Sequence, residues 1–143
     1  MQQIICLGSW QGSDAAAWVL AERLESHLRA QPAPRPAMQI HCCATPTQMV
    51  SLFKGAAAVL LIDASCDLPL GRLAVIVRED IRHSPSCSSH GMDLLAALEL
   101  IEALGDMPPL LQILALGVGT TTASPEQIAE QALPGVLAML GIA

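Results

Sequence analysis

Asp63 ends an apolar run, and Ser88-Ser89-His90-Gly91-Met92 opens an apolar helical pattern further along the chain. A carboxylate and an imidazole can each bind a divalent metal or carry a proton. In an open α/β sheet, ligands collect outside the carboxyl ends of the strands, so an Asp at a strand end and a His at the start of a later helix can converge there. A carboxylate at the end of an apolar strand needs a partner or water to offset its desolvation. It could find one in the backbone N–H groups of the following turn, which is the structural alternative. For His90, a place in the first turn of a helix disfavours the imidazolium and keeps a neutral ring available to a metal. Its structural alternative is a hydrogen bond to the preceding loop.

A metal site normally needs a third protein ligand, and the first loop is the natural source because it also follows a sheet strand. There the candidate is Asp14, after Gly8-Ser9-Trp10-Gln11-Gly12-Ser13. Asp14 is equally placed to favour the positive end of the first helix. Gly8 and Gly12 lack the G-x-G-x-x-G spacing of a dinucleotide site, and no P-loop lysine follows them. Cys66, His83 and Cys87 flank the Asp63 and His90 region as reserve ligands of the soft type that suits zinc or nickel, although their spacing matches no standard zinc module. His41 in a strand and His27 on a solvated helix face read as structural, and Glu99 and Glu102 as exposed acids. The strained G-x-S-x-G elbow of a serine hydrolase is missing around Ser88 and Ser89. A Cys87 nucleophile paired with His90 is conceivable, although neighbours so close in sequence rarely aim correctly at one another.

The elements that must position these residues follow from periodicity and punctuation. Residues 3–7 form a β-rich run stopped by Gly8, and residues 14–30 carry apolar side chains at helical spacing. The proline-rich stretch over 31–36 cannot continue that helix. A second strand covers 38–43, and Thr45-Pro46 starts a short helix through Phe53. Residues 56–62 make a buried strand that Asp63 ends. After the turn at Pro69 and Gly71, residues 73–77 form a fourth strand that could lie antiparallel at an edge. A polar loop over 78–88 leads to a helix capped by Ser89 and stopped by Gly105. Residues 110–116 are the fifth strand, 117–123 a loop, and Ser124-Pro125-Glu126 announces a last helix. Strands and helices mostly alternate, which predicts a three-layer α/β/α sandwich with a mostly parallel sheet of about five strands.

At 143 residues the chain is expected to be one domain over 1–143. Hydrophobic residues make up 52% and charged residues 14%, the balance of a globule. A net charge of -6, with Lys and Arg together numbering 7, argues against nucleic acid or an anionic membrane as partner. The only aromatic residues are Phe53, Trp10 and Trp18, so no stacking platform for single strands is expected. There is no uninterrupted apolar stretch of membrane-spanning length and no cationic secretory start. The 5 cysteines lack framework spacing and read as reduced thiols. A cytoplasmic protein is expected.

Taken with these residues, the chain resembles the hydrogenase maturation proteases, which trim the carboxy terminus of the large subunit of nickel-iron hydrogenases. The resemblance runs through Ser88-Ser89-His90-Gly91-Met92-Asp93-Leu94, then Ala97, Leu98, Leu104-Gly105 and Pro108-Pro109. It continues over residues 113–119 and Ala123-Ser124-Pro125-Glu126, and takes in Asp63-Ala64 with Pro69-Leu70-Gly71. It implies an endopeptidase that removes the C-terminal extension of an immature, nickel-loaded large subunit. Asp63 and His90 match that family's strand-ending Asp and its His, and would engage nickel carried by the substrate; zinc or cadmium-like divalent ions would be surrogates. The family's first loop has Gly-Asn, a spacer and two consecutive acids, the second being the ligand. Here Asp14 matches the first acid and Ala15 stands at the ligand position. That departure keeps open a non-catalytic relative, a chaperone or adaptor for the large subunit. A generic small-molecule binding domain is the third reading.

Overall fold

The computed structural model describes residues 1–32, 37–65, 68–82, 90–119 and 123–142. Strand β1 (Gln2–Leu7) is buried from Gln3 onward because it lies between two parallel neighbours, β2 (Met38–Cys43) and β3 (Ala58–Ser65). Beyond β3 come β5 (Leu110–Gly117), parallel to it, and β4 (Leu73–Ile76), antiparallel to β5 at the edge. The five-stranded order is β2-β1-β3-β5-β4. This is the mostly parallel α/β sandwich expected from the sequence, with the edge strand reversed. The reversal has a local cause: the turn at 69–72, closed by Arg72 N–H donating to the Pro69 carbonyl, sends the chain back down the sheet. Gly71 N–H donates to the Gly117 carbonyl at 2.8 Å and Gly117 N–H to the Arg72 carbonyl at 2.7 Å, which holds that turn to the end of β5. A side chain at Gly117 would run into the Pro69 carbonyl.

Strand side chains alternate between two layers, as the pleat requires. Ile4, Cys6, Leu60, Ile62, Ala64, Leu114 and Leu116 pack under α1 (Ala15–Ala30) and α3 (Pro125–Met139). Ile5, Leu7, Val59, Leu61 and Ile113 face the other way. They pack against α2 (His90–Ala103) and a 3-10 helix over Pro46–Leu52, through Leu94, Leu98, Ile101, Met49 and Phe53. The helix that starts after Thr45-Pro46 is thus of the tighter kind. The stretch after β4, expected as a polar loop, contains a further 3-10 helix, Arg78–Arg82, whose Ile81 is buried in the α2 layer. Gly105, at φ 76°, ends α2, and Asp106 N–H closes on the Ile101 carbonyl at 3.0 Å.

The strand expected over 56–62 lies at Ala58–Ser65. β3 does not stop at Asp63 but continues to Ser65, because β5 runs beside it with Asp63, Ala64 and Ser65 opposite Ala115, Leu116 and Gly117. Backbone pairing outlasts the apolar run from which the boundary was read.

Candidate functional site

The chain leaves β1 for α1 in one layer, whereas the path from β3 to its neighbour β5 passes through α2 in the other. The connections part between the carboxyl ends of β1 and β3, the point at which an open sheet forms a crevice. Asp63 sits there. It pairs with Leu7, the last residue of β1, and on the β5 side its neighbour is Ala115. Because Val59 and Leu61 face α2, the two-residue period puts Asp63 on the same face. Its carboxylate is half-buried, and Oδ1 accepts a hydrogen bond from Ala64 N–H at 2.9 Å. The turn-capping alternative is therefore partly realised, in a side chain that also keeps contact with solvent.

His90 is the first residue of α2. The opposite end of that helix is fixed at the amino rim of the sheet. There Arg78, just past the end of β4, pairs with Glu102 at 2.7 Å, and the chain enters β5 at Leu110 soon after. At about 1.5 Å per residue, α2 then runs back along β3 for roughly 20 Å. The backbone of His90 consequently stands toward the carboxyl rim, in the layer that Asp63 faces, with the positive end of the helix dipole beside it. The His90 side chain lies outside the described residues, as do Cys66, His83, Cys87, Ser88 and Ser89.

Asp14 also rises from this rim, but on the α1 side. It is the N-cap residue of α1, half-buried, with helical backbone angles and no side-chain capping bond. The favourable interaction with the helix dipole is thus geometrically available to it. Ala15 follows as the first residue of α1 and is buried at 6% exposure. The loop that brings Asp14 here is tightly folded. A Cβ at Gly8 would strike the Asp14 carbonyl, Gln11 N–H donates to Ser9 Oγ at 3.2 Å, and Gly12 takes φ 56°. Trp10, to which the sequence assigns no role, projects from this loop at 59% exposure. Its place between two glycines, outside any apolar period, is the signal in the sequence.

The remaining candidates fall into structural roles. His27 shares a hydrogen bond with Gln31 at 3.1 Å, and His41 one with Gln3 at 2.7 Å. Glu99 and Glu102 are exposed. Cys6 and Cys43 are buried and Cys42 is exposed, all as free thiols. Burial pushes the Cys6 and Cys43 thiols up from the ordinary range. Burial first, then Cys43, Glu22 and Glu25, pushes Cys42 up to about 11. All three therefore stay protonated at neutral pH, a poor state for a ligand or nucleophile. Among the described residues, no three His, Cys, Asp or Glu side chains gather to hold a metal. A groove of about 430 Å³ lies at the β2 edge, lined by Glu25, Arg29, Gln39 and His41 among others, away from Asp63. Among the described residues, no helix is long and apolar enough to cross a membrane.

No protein-family model matches the chain, and no curated protein matches it. Solved structures do. The hydrogenase maturating endopeptidase HybD from E. coli is similar with a TM-score of 0.71 at 19% identity, over 99% of this chain and 93% of that one. The endopeptidase HycI from Escherichia coli is similar with a TM-score of 0.69 at 18% identity, over 99% and 92%. The [NiFe] hydrogenase maturation protease HycI from Thermococcus kodakarensis KOD1 gives 0.66 at 20% identity, over 98% and 90%. At these identities the likeness establishes the fold: the chain has the architecture of these maturation endopeptidases from end to end.

Proposed function

We propose that this chain belongs to the hydrogenase maturation proteases and acts as an endopeptidase on the C-terminal extension of a nickel-loaded hydrogenase large subunit. One coincidence carries the reading. A chain with the fold of such endopeptidases over its whole length holds Asp63 at the crevice between β1 and β3, in the layer where α2 opens with His90. An oxygen donor and an imidazole nitrogen are too few for a resident four-coordinate ion, but they suit an ion whose remaining ligands come with the substrate. Nickel held by the precursor's cysteines would dock against Asp63 and His90 and polarise the amide to be cut. The half-buried Asp63 keeps contact with solvent, and α2 brings its positive N-terminal end, with the backbone of His90, toward the same rim. A reducing, cytoplasmic setting belongs to the same proposal and suits the free thiols.

A second reading has its own support. The position at which the resembling family carries its first-loop ligand holds the buried methyl group of Ala15, which favours an adaptor that binds the precursor without cutting it. Incubating the pure protein with nickel-loaded precursor and weighing the precursor by mass spectrometry separates the two. Loss of a C-terminal fragment is expected; binding with an intact tail supports the adaptor. His90→Ala and Asp63→Asn are each expected to abolish cleavage while leaving the melting temperature within about 3 °C of the parent. Unchanged cleavage by folded His90→Ala would remove that residue from the mechanism.

A further inference from the structure

β4 stands last in the sheet order, so among the described residues one of its two backbone edges has no neighbour. Gly117 N–H donates to the Arg72 carbonyl, and the alternation of an antiparallel ladder then turns the N–H and C=O groups of residues 72, 74 and 76 toward β5. Those of Leu73, Val75 and Val77 are left on the outer side. Unpaired edge groups are a template for another strand, and sheets commonly blunt them with charges, prolines or bulges. Here none of these intervenes: residues 73–77 are all apolar, and Leu73 to Ile76 pair with β5 in unbroken register. Leu73 is tucked under α3, close enough that a Cβ at Gly135 would lie 2.9 Å from Leu73 Cδ1. Val75 and Val77, in contrast, are 63% and 53% exposed. Because Leu73 packs with the α1 and α3 core, the two-residue period puts Val75, and Val77 just past the strand end, on that same face.

What fits this edge is the same edge of a second molecule. Two sheets that meet edge to edge about a two-fold axis pair their outer strands antiparallel, and each side chain keeps its face. With the axis at Val75, that residue meets its own copy and Leu73 meets Val77, so the outward backbone groups find partners and both valines are covered. On the opposite face Ala74 meets Ile76, small against large. The strand ends match too. Arg72 at one end and Glu79 just past the other are exposed, and among the described residues neither is in an ion pair. The two-fold brings Arg72 to the end that carries Glu79 of the other copy, where Arg78, the residue opposite Arg72, is already neutralised by Glu102 at 2.7 Å. We infer that β4 is a self-association edge, through which two copies of this chain join their five-stranded sheets into one. A strand of 4 residues makes a short ladder, so the dimer is weak and dissociates on dilution. β5 and β4 separate the crevice between β1 and β3 from the joint, which therefore does not run through it.

Sedimentation equilibrium of the pure chain over about 5–500 μM tests this, with amide hydrogen exchange followed by NMR at both ends of the range. The parent should pass reversibly from monomer to twice that mass. As it does, the amides of Leu73, Val75 and Val77 should become protected, whereas those of Ala74 and Ile76, already bonded to β5, should change little. Val75→Lys sets a charge on the outer edge and should weaken association at least about tenfold, with a melting temperature within about 3 °C of the parent in dilute solution. Glu79→Lys, which leaves Arg72 facing a cation, should weaken it about threefold. A parent that stays monomeric up to about 500 μM, association untouched by Val75→Lys or by Glu79→Lys, or a dimer whose outer β4 amides stay unprotected would overturn the inference. If a monomeric parent showed that protection only on adding the nickel-loaded precursor, the edge would belong to that partner instead of to a second copy.

Discussion

Burial decides what the cysteines can do, and it does so residue by residue. Cys42 is exposed, yet its thiol is pushed up to about 11 from an ordinary 9.0 by desolvation, Cys43 and the acids of α1. Its reaction with iodoacetamide near pH 7.5 should therefore be slow. The rate should rise about tenfold for each pH unit until the pH approaches that value, as read by mass spectrometry of digests. Cys6 and Cys43 should be labelled only after unfolding. The same shifts set a sign for stability. Above the ordinary thiol value the unfolded chain releases protons that the folded chain retains, so the stability present in full below about pH 9 is lost as pH rises through the folded values. Urea midpoints lower at about pH 10 than at about pH 8 would agree; a midpoint that rises over that interval would not. At this scale the sequence is partly legible. Asp63 stands out because it interrupts an apolar run, and Cys6 reads as core for the complementary reason. Trp10 is legible only as an aromatic between two glycines outside any apolar period, because its exposure depends on which neighbours the fold brings to it.

Elements are easiest to read where their ends carry chemistry. Ser124-Pro125-Glu126-Gln127 specifies the start of α3 by itself: Ser124 Oγ accepts from Gln127 N–H at 3.2 Å, and Gln127 Oε1 accepts from Ser124 N–H at 3.1 Å. Removing the hydroxyl leaves a first-turn donor without its partner, so Ser124→Ala should cost about 1 kcal/mol in denaturant unfolding. Ser124→Asp should recover it, and a loss below about 0.3 kcal/mol would deny the cap its role. Gly105 likewise marks the end of α2 through its left-handed backbone. Ends that depend on a neighbour are not written locally. β3 extends past Asp63 because β5 pairs with it there, and the helix after Pro46 tightens to the 3-10 form, with Gln48 N–H closing on the Thr45 carbonyl at 3.2 Å. The start of α2 at His90 places the backbone of that residue by helix direction alone, which the sequence supplies once the alternation of strands and helices is read.

For the whole molecule, the candidate crevice exists because β1 and β3 send the chain into opposite layers, so its geometry depends on both layers staying packed on one sheet. Sheet order and layer were not readable from periodicity, which yields elements but no neighbours. β1 and β3 each contribute to both cores, Ile4 and Leu60 to one, Ile5 and Leu61 to the other, so neither layer can lose its packing without releasing strands that support its counterpart. Leu20, on α1, and Leu98, on α2, are both fully buried. Truncating either to Ala should cost about 3 kcal/mol through lost burial and the cavity left behind. The two tryptophans give this a direct readout, because Trp18 packs in the α1 layer, Trp10 stacks on it, and there are no tyrosines to add signal. Leu98→Ala lies in the opposite layer, so a cooperative sheet should shift the tryptophan fluorescence transition as far as the far-ultraviolet circular dichroism transition. A fluorescence transition that stays at the parent midpoint while the dichroism transition moves would mean that the layers unfold separately, and that the crevice between β1 and β3 can open without global unfolding.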